Sequence, residues 1–429
     1  MKHQTVLPST QQAHIDLEKI YGAHDYHPIP VVLEKGEGVF LWDTDGKKYC
    51  DFLSAYSAVN QGHCHPALVQ TMQEQAATLT LTSRAFHNNK LGEYMAYATE
   101  YFGFEALLPM NTGAEGVETA IKITRKWGYT QKGIPKDQAK IIVCRNNFHG
   151  RTTTVISFST DPGSHDYFGP HTPGFIHIPY NDVNALKEVL ENDPHVAGFL
   201  VEPIQGEAGV YTPDSDFIPA CKALCEQHNV LFIADEIQTG IARTGSLLAV
   251  CGNCSCENHC ERQPDTFTKP DLLILGKALS GGMFPVSAVL CDRAIMDVIQ
   301  PGQHGSTFGG NPLAAAVAKR ALEVVREEQL MVNARTLGNY FRERMQEYIE
   351  QSKLVTKVRG KGLLNAIVIN DSETGHLAWD ICLRLRDNGL LAKPTHGNII
   401  RFAPPLVITK EQLDACIEII LNTLADFEL

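Results

Sequence analysis

Long apolar runs are missing from this sequence of 429 residues. No window approaches the ~20 consecutive apolar residues that a membrane-spanning helix needs, so none is expected. The opening stretch MKHQTVLPSTQQAHIDLEK has neither the apolar core of a signal peptide nor an Arg-rich transit pattern, which makes the cytoplasm the expected address. Positive charge is also in short supply. Thirty-seven Lys and Arg stand against 49 Asp and Glu, a net charge of −12. That balance disfavours a non-specific grip on nucleic acid or on an anionic membrane and leaves small molecules as the expected partners. Internal repeats and low-complexity tracts are absent. So are two enzyme signatures. Gly276-Lys277 is followed by Ala278, with no glycine five residues before Gly276, so there is no Walker A loop. HGSTFGGNP does not form a G-x-S-x-G elbow.

What is present is enough apolar material, 44% of residues, for a large core and about two or three domains. Short β-branched runs alternate with helix-length amphipathic stretches: KIIVC at 140–144, AGFLVEP at 197–203, VLFIADE at 230–236 and DLLILGK at 271–277. This alternation predicts an α/β fold with a largely parallel sheet covered on both faces. The runs end in Arg145, Glu202, Asp235 and Lys277. In open α/β sheets the ligand crevice lies beyond the carboxyl ends of the strands, so these ends should converge. From Pro312 to about Gln351 the apolar period is helical. Beyond it, LVTKVRGKGLLNAIVI, a helix near 376–388, NIIRFAPPLVI and a final helix near 410–427 read as a smaller α+β unit. The expected organisation is a segment 1–50 of β-meander character packing with that unit, a large domain 51–315, and a small domain 316–429.

Several residues in this frame bear chemistry. Lys277 follows DLLIL directly, so burial should lower its pKa, as an imine-forming amine requires, although a strand-end lysine is ordinarily just solvated. Asp235 closes VLFIAD and needs a cationic or hydrogen-bonding partner; a pyridinium nitrogen is one, and a simple capping role is the other. In NTGAEGVETA, Thr112 and Glu115 have capping-box spacing, which leaves the N–H groups of Gly113 and Ala114 at a helix N-terminus suited to a phosphate. Ser306 and Thr307, between glycines in HGSTFGGNP, suit the same group. Arg401 interrupts the apolar NIIRFAPPL and calls for a carboxylate from a substrate or from the protein. Arg151 follows NNFHG, where a solvated surface charge is the alternative; Phe148 in that motif is an ordinary core candidate.

In order along the chain, LWDTDGKKYCDFLSAYSAVNQGHCHP, NTGAEGVETA, NNFHGRT, VEPIQGEAGV, ADEIQTGIARTG, LGKALSGGMFPVSAV, HGSTFGGNPLA and IIRFAPPL resemble the class III aminotransferases of pyridoxal-phosphate (PLP) fold type I over nearly the whole length. Within them the likeness is strongest to the branch that transfers the δ-amino group of ornithine to 2-oxoglutarate. The branches acting on acetylornithine or 4-aminobutyrate are the alternative. The resemblance implies a homodimer with a shared active site and assigns roles. Lys277 binds the cofactor and shuttles the proton, Asp235 holds the pyridine nitrogen, Gln238 the phenolic oxygen, and Phe148 stacks on the ring. Gly113 and Ala114 bind the phosphate, joined by Thr307 of the second subunit. Tyr26 and Arg151 receive the distal end of ornithine. Glu207 covers Arg401 until glutamate needs it, and Tyr56 favours ornithine over related amines.

One segment departs from the family. Between RTGSLLAV and KPDLLILGK about fourteen extra residues, near 251–264, carry Cys251, Cys254, Cys256 and Cys260 with His259 adjacent. Four thiols so close together in a reducing compartment predict a structural zinc site, with thiols of redox character as the alternative.

Overall fold

A computed structural model describes residues 10–257, 261–263 and 266–428. Near its start, β1 (Leu33–Glu37), β2 (Phe40–Asp43) and β3 (Lys48–Asp51) make an antiparallel meander. The central sheet then collects β4 (Ala106–Met110), β5 (Lys140–Cys144), β6 (Phe175–Ile178), β7 (Val196–Val201), β8 (Leu231–Asp235), β9 (Leu272–Leu275) and β10 (Ser287–Cys291). Their order is β4-β10-β9-β8-β7-β5-β6. Strands β5 to β9 are parallel, and β10 runs antiparallel to both of its neighbours.

The four apolar runs read from the sequence are the parallel core of this sheet. Because successive side chains point to opposite faces, each run must be apolar throughout when both faces are covered. Ile141, Val143, Leu200, Ile233, Ile274 and Val289 pack on one side with Val117, Ile121 and Ile123 of the helix Gly113–Thr130. Ile142, Phe199, Phe232, Leu273, Leu275 and Leu290 face the opposite core. Each such side chain stabilises the fold by roughly 1.5–3 kcal/mol, so the strand ends that carry polar groups are held on a rigid base.

The helical stretch after Pro312 is broken. Helices Pro312–Glu327 and Leu330–Ile349 are separate because Gln329 takes a left-handed conformation, φ +53°, between them. After them, β11 (Val355–Lys361), β12 (Leu364–Ile369), β14 (Lys393–Thr395) and β15 (Ile399–Phe402) form a sheet in the order β11-β12-β15-β14. The short β13 (Leu390–Leu391) joins the meander instead, parallel to β3, with Leu390 opposite Cys50. Helices Leu377–Asp387 and Lys410–Ala425 cover this part. Among the described residues no helix is long and apolar enough to cross a membrane.

Candidate active site

Beyond the carboxyl ends of β7, β8 and β9 lies a cavity of about 200 Å³, lined by Gly113, Ala114, Phe148, His149, Glu202, Glu207, Asp235, Gln238 and Lys277, among others. Lys277 stands just after β9 in a left-handed conformation, φ +45°, which a non-glycine residue adopts only at a cost of order 1–3 kcal/mol. Burial lowers the pKa of its ammonium; Glu207 and Asp235 oppose that shift without cancelling it. The amine is therefore readier to react as a nucleophile than an exposed lysine.

Asp235 ends β8. Its Oδ1 accepts from the Ile237 N–H at 3.1 Å, and its Oδ2 lies 2.6 Å from Nδ1 of fully buried His149. Burial works against the imidazolium, but the bond to Asp235 and the charges of Asp235 and Glu202 raise the His149 pKa overall. Glu202, just past β7, accepts from the Phe148 N–H at 2.8 Å and the Gly206 N–H at 3.3 Å. Burial pushes its carboxyl up to about 7. One carboxylate thus ties the loop of Phe148 to the loop of Glu207.

The opposite wall is the start of the helix Gly113–Thr130. Thr112 Oγ1 accepts from the Glu115 N–H at 3.2 Å, and Glu115 Oε2 accepts from the Thr112 N–H at 2.8 Å. That capping box uses neither the Gly113 nor the Ala114 N–H, which stay at the cavity wall with the positive end of the helix dipole behind them.

Glu207 and Arg401 meet at 2.8 Å, Arg401 buried at 5% exposure on β15. Burial pushes the Glu207 carboxyl up, but Arg401 and Lys277 outweigh it and hold the group below its usual value. Gln238 adds a bond from Nε2 to Glu207 Oε1 at 3.1 Å and a longer one to the Tyr56 carbonyl at 3.4 Å. Its Oε1 is buried with no partner among the described residues. Gly206 has no side chain because a Cβ there would collide with the Gln238 amide. The Arg401 guanidinium lies 5.1 Å over the Tyr56 ring. Tyr56 belongs to four successive left-handed residues, Ser54 to Ser57, a strained arrangement of the kind that collects at binding sites.

Of the four strand ends expected to converge, Glu202, Asp235 and Lys277 line this crevice, whereas Arg145 is exposed and does not. Other expected site residues stand farther out. Arg151 lies 5.8 Å from the Phe148 ring and donates to Ser164 at 3.1 Å. Tyr26 is 69% exposed, near the Lys393 ammonium at 5.8 Å. Ser306 accepts from Asn111 Nδ2 at 2.8 Å, and neighbouring Thr307 is exposed; neither lines this chain's cavity. His149 and Lys393 were not singled out from the sequence. His149 had a signal in its place beside Phe148; Lys393 had none.

Three of the four loop cysteines fall within the described residues. Cys251, Cys254 and Cys256 are buried together, and bonds from Cys251, then Ser246 and Cys256, outweigh burial to pull the Cys254 thiol down. Cys256 Sγ also accepts from the Glu261 N–H at 3.3 Å. Among the described residues no group of three or more donors is placed to hold a metal, so structural zinc finds no support. Cys260 and His259 lie outside the described residues.

The "Aminotransferase class-III" family profile matches residues 21–424. The chain belongs to that family, and its members are PLP-dependent transaminases. Mitochondrial ornithine aminotransferase of Rattus norvegicus is 55% identical over 98% of this chain and 92% of its own length. The corresponding Drosophila ananassae protein is 58% identical over 95% and 90%. Among solved structures, ornithine aminotransferase from Toxoplasma gondii superposes with a TM-score of 0.93 at 44% identity, covering 98% of this chain and 96% of that one. A protein described as acetylornithine aminotransferase from Elizabethkingia anophelis gives 0.89 at 61% identity, covering 98% and 100%.

The cavity fits the cofactor of this family. It offers a helix N-terminus with two uncommitted N–H groups for a phosphate, a buried carboxylate for a ring nitrogen, an orphaned amide oxygen on Gln238, and a lysine of lowered pKa.

Proposed function

We propose that this enzyme moves the δ-amino group of L-ornithine to 2-oxoglutarate, giving glutamate 5-semialdehyde and glutamate. The observation that carries this reading is the Glu207–Arg401 pair beside Tyr56, with Glu207 lining the same cavity as Lys277. When bound, PLP supplies an electron sink that makes the carbon bearing the amine acidic. Lys277 would hold the cofactor through its carbonyl carbon and, as an amine of lowered pKa, would serve as the proton carrier of the site. Asp235, backed by His149, would accept a hydrogen bond from the protonated ring nitrogen. Phe148 would pack against the ring, Gln238 would hold the phenolic oxygen, and the Gly113 and Ala114 N–H groups would hold the phosphate.

Ornithine offers an amine at each end, so the site must choose. With Glu207 neutralising Arg401, no free guanidinium near Lys277 attracts the α-carboxylate, and the δ-amine enters instead. Tyr26 and Arg151 then receive the far end. Glutamate carries a carboxylate beside its reacting amine and needs Arg401 released. The acetylornithine reading rests on the Elizabethkingia relative; Tyr26 and Tyr56 at the substrate end favour ornithine, with its free α-amine.

The loop of Ser306 and Thr307 supports a homodimer. Thr307 is exposed beside Phe308, itself 58% exposed, as residues that complete a second copy's phosphate site would be. The deciding experiment for the activity is to supply ornithine and 2-oxoglutarate to the holoenzyme and trap glutamate 5-semialdehyde, with N-acetylornithine and 4-aminobutyrate in parallel. Turnover of either alternative at ten times the ornithine rate or more would refute the ornithine assignment.

A further inference from the structure

If Glu207 leaves Arg401 when a substrate carboxylate arrives, its own charge must go somewhere. A carboxylate left unpaired in a half-buried site is costly enough to hold the gate shut. Gln238 supplies a hydrogen bond but no charge.

Lys277 is the other cation that acts on Glu207, but its amine is reserved for the cofactor, and a further cation stands on the neighbouring strand. In the β14–β15 hairpin Lys393 lies directly opposite Arg401, so the two side chains leave the same face of the sheet. Thr395, two residues on and therefore on that face too, donates from Oγ1 to the Glu207 carbonyl at 2.7 Å. Strand β14 thus pins the main chain of Glu207 beside Lys393. The Lys393 ammonium is half-buried, within electrostatic reach of both Glu207 and Arg401. It lies 5.8 Å from the Tyr26 ring and within electrostatic reach of Cys382 as well, and among the described residues it makes no hydrogen bond or ion pair. His27, next to Tyr26, stacks on Trp379 at 4.1 Å.

We propose that Lys393 is a positioning residue that receives the Glu207 carboxylate when a substrate carboxylate takes Arg401, so that the gate swings between two cations on adjacent strands. This rests on the reading of Glu207 as a gate. In the ornithine half-reaction the carboxylate stays on Arg401 and Lys393 is a bystander. In the glutamate half-reaction Lys393 offsets the charge displaced by the incoming ligand.

The probe is glutarate, a five-carbon dicarboxylate without a reacting amine or carbonyl, titrated calorimetrically into the holoenzyme. Lys393→Met should weaken glutarate about tenfold and raise the KM for 2-oxoglutarate similarly, with kcat and the ornithine half-reaction within about twofold of the parent. Lys393→Arg, which keeps the charge, should restore most of the affinity. In a Glu207→Ala background Lys393→Met should change nothing further, because no displaced carboxylate remains. A crystal structure with glutarate should show the Glu207 carboxylate within 4 Å of Lys393 Nζ, the distance of an ion pair. Unchanged glutarate binding in Lys393→Met overturns the proposal. An equal loss in the Glu207→Ala background also overturns it, because the lysine would then be touching the ligand itself. Failure of the gate reading looks different: Glu207→Ala alone would leave the α-to-δ selectivity toward ornithine intact.

Discussion

His149 Nδ1 and Asp235 Oδ2 lie 2.6 Å apart with both groups buried, so the carboxylate meant for the cofactor nitrogen is already held on its far side by an imidazole. The pair fixes the orientation of Asp235. Replacing His149 with Phe leaves Asp235 with the Ile237 N–H as its remaining recorded partner. Cofactor affinity should fall by roughly tenfold or more, since removing one member of a buried pair strands the other. Fluorescence titration of the apoenzyme with PLP measures this, and an affinity equal to the parent's would show that the histidine is only core filling.

Lys277→Ala should abolish the near-ultraviolet imine absorbance and reduce turnover by about 10⁴-fold, because no other amine among the described residues lines the cavity. Retained transamination would end the assignment of this lysine.

Glu207→Ala leaves Arg401 without its carboxylate throughout the cycle. Ornithine can then enter with its α-amine foremost. Single-turnover product analysis should show δ-transfer falling by roughly tenfold relative to α-transfer, while the glutamate half-reaction is preserved or improved. Equal losses in both halves with δ-selectivity intact would make the residue merely structural.

Glu202 should leave a signature in the pH dependence of stability. Its carboxyl is raised to about 7 by burial, whereas an unfolded glutamate titrates near 4.3. Between those values the folded state holds the extra proton, so stability declines as pH rises through the window and the penalty, about 4 kcal/mol, is complete above 7. Glu202→Gln lacks this loss. The apoenzyme variant should therefore gain on the parent in melting temperature as pH goes from 5 to 8, and parallel profiles would contradict the assignment.

If Thr307 completes a second copy's phosphate site, cofactor retention should depend on protein concentration. Dilution below the association constant should release PLP, visible as loss of imine absorbance. A monomer that keeps its cofactor and full activity would contradict the shared site.

Much of the site was legible because each strand end announces itself as a polar residue closing an apolar run; Glu202, Asp235 and Lys277 fell out of that rule. The capping box was readable because its spacing is local. What was hidden depends on register or on distant loops meeting. Lys393 matters only because residues 396–398 turn the chain so that it lies opposite Arg401, and no periodicity in KPTHGNIIRF reveals that alignment. His149 matters only because β5 and β8 deliver their following loops to one place. The cysteine loop is the complementary case: proximity in sequence buries Cys251, Cys254 and Cys256 together without saying whether their sulfurs converge on a common centre.

The parallel pairing of β3 with β13 has a consequence for how the molecule is made. Cys50 waits for Leu390, a partner synthesised near the end of the chain. The meander therefore has one edge open while the large sheet, whose strands neighbour one another more closely in sequence, can already close. Contacts of such long separation are slow to form because the loop entropy must be overcome first. Synthesis of the segment from Leu390 to Arg401, rather than assembly of the cofactor-binding core, should thus set the moment at which Arg401 and its gate come into being.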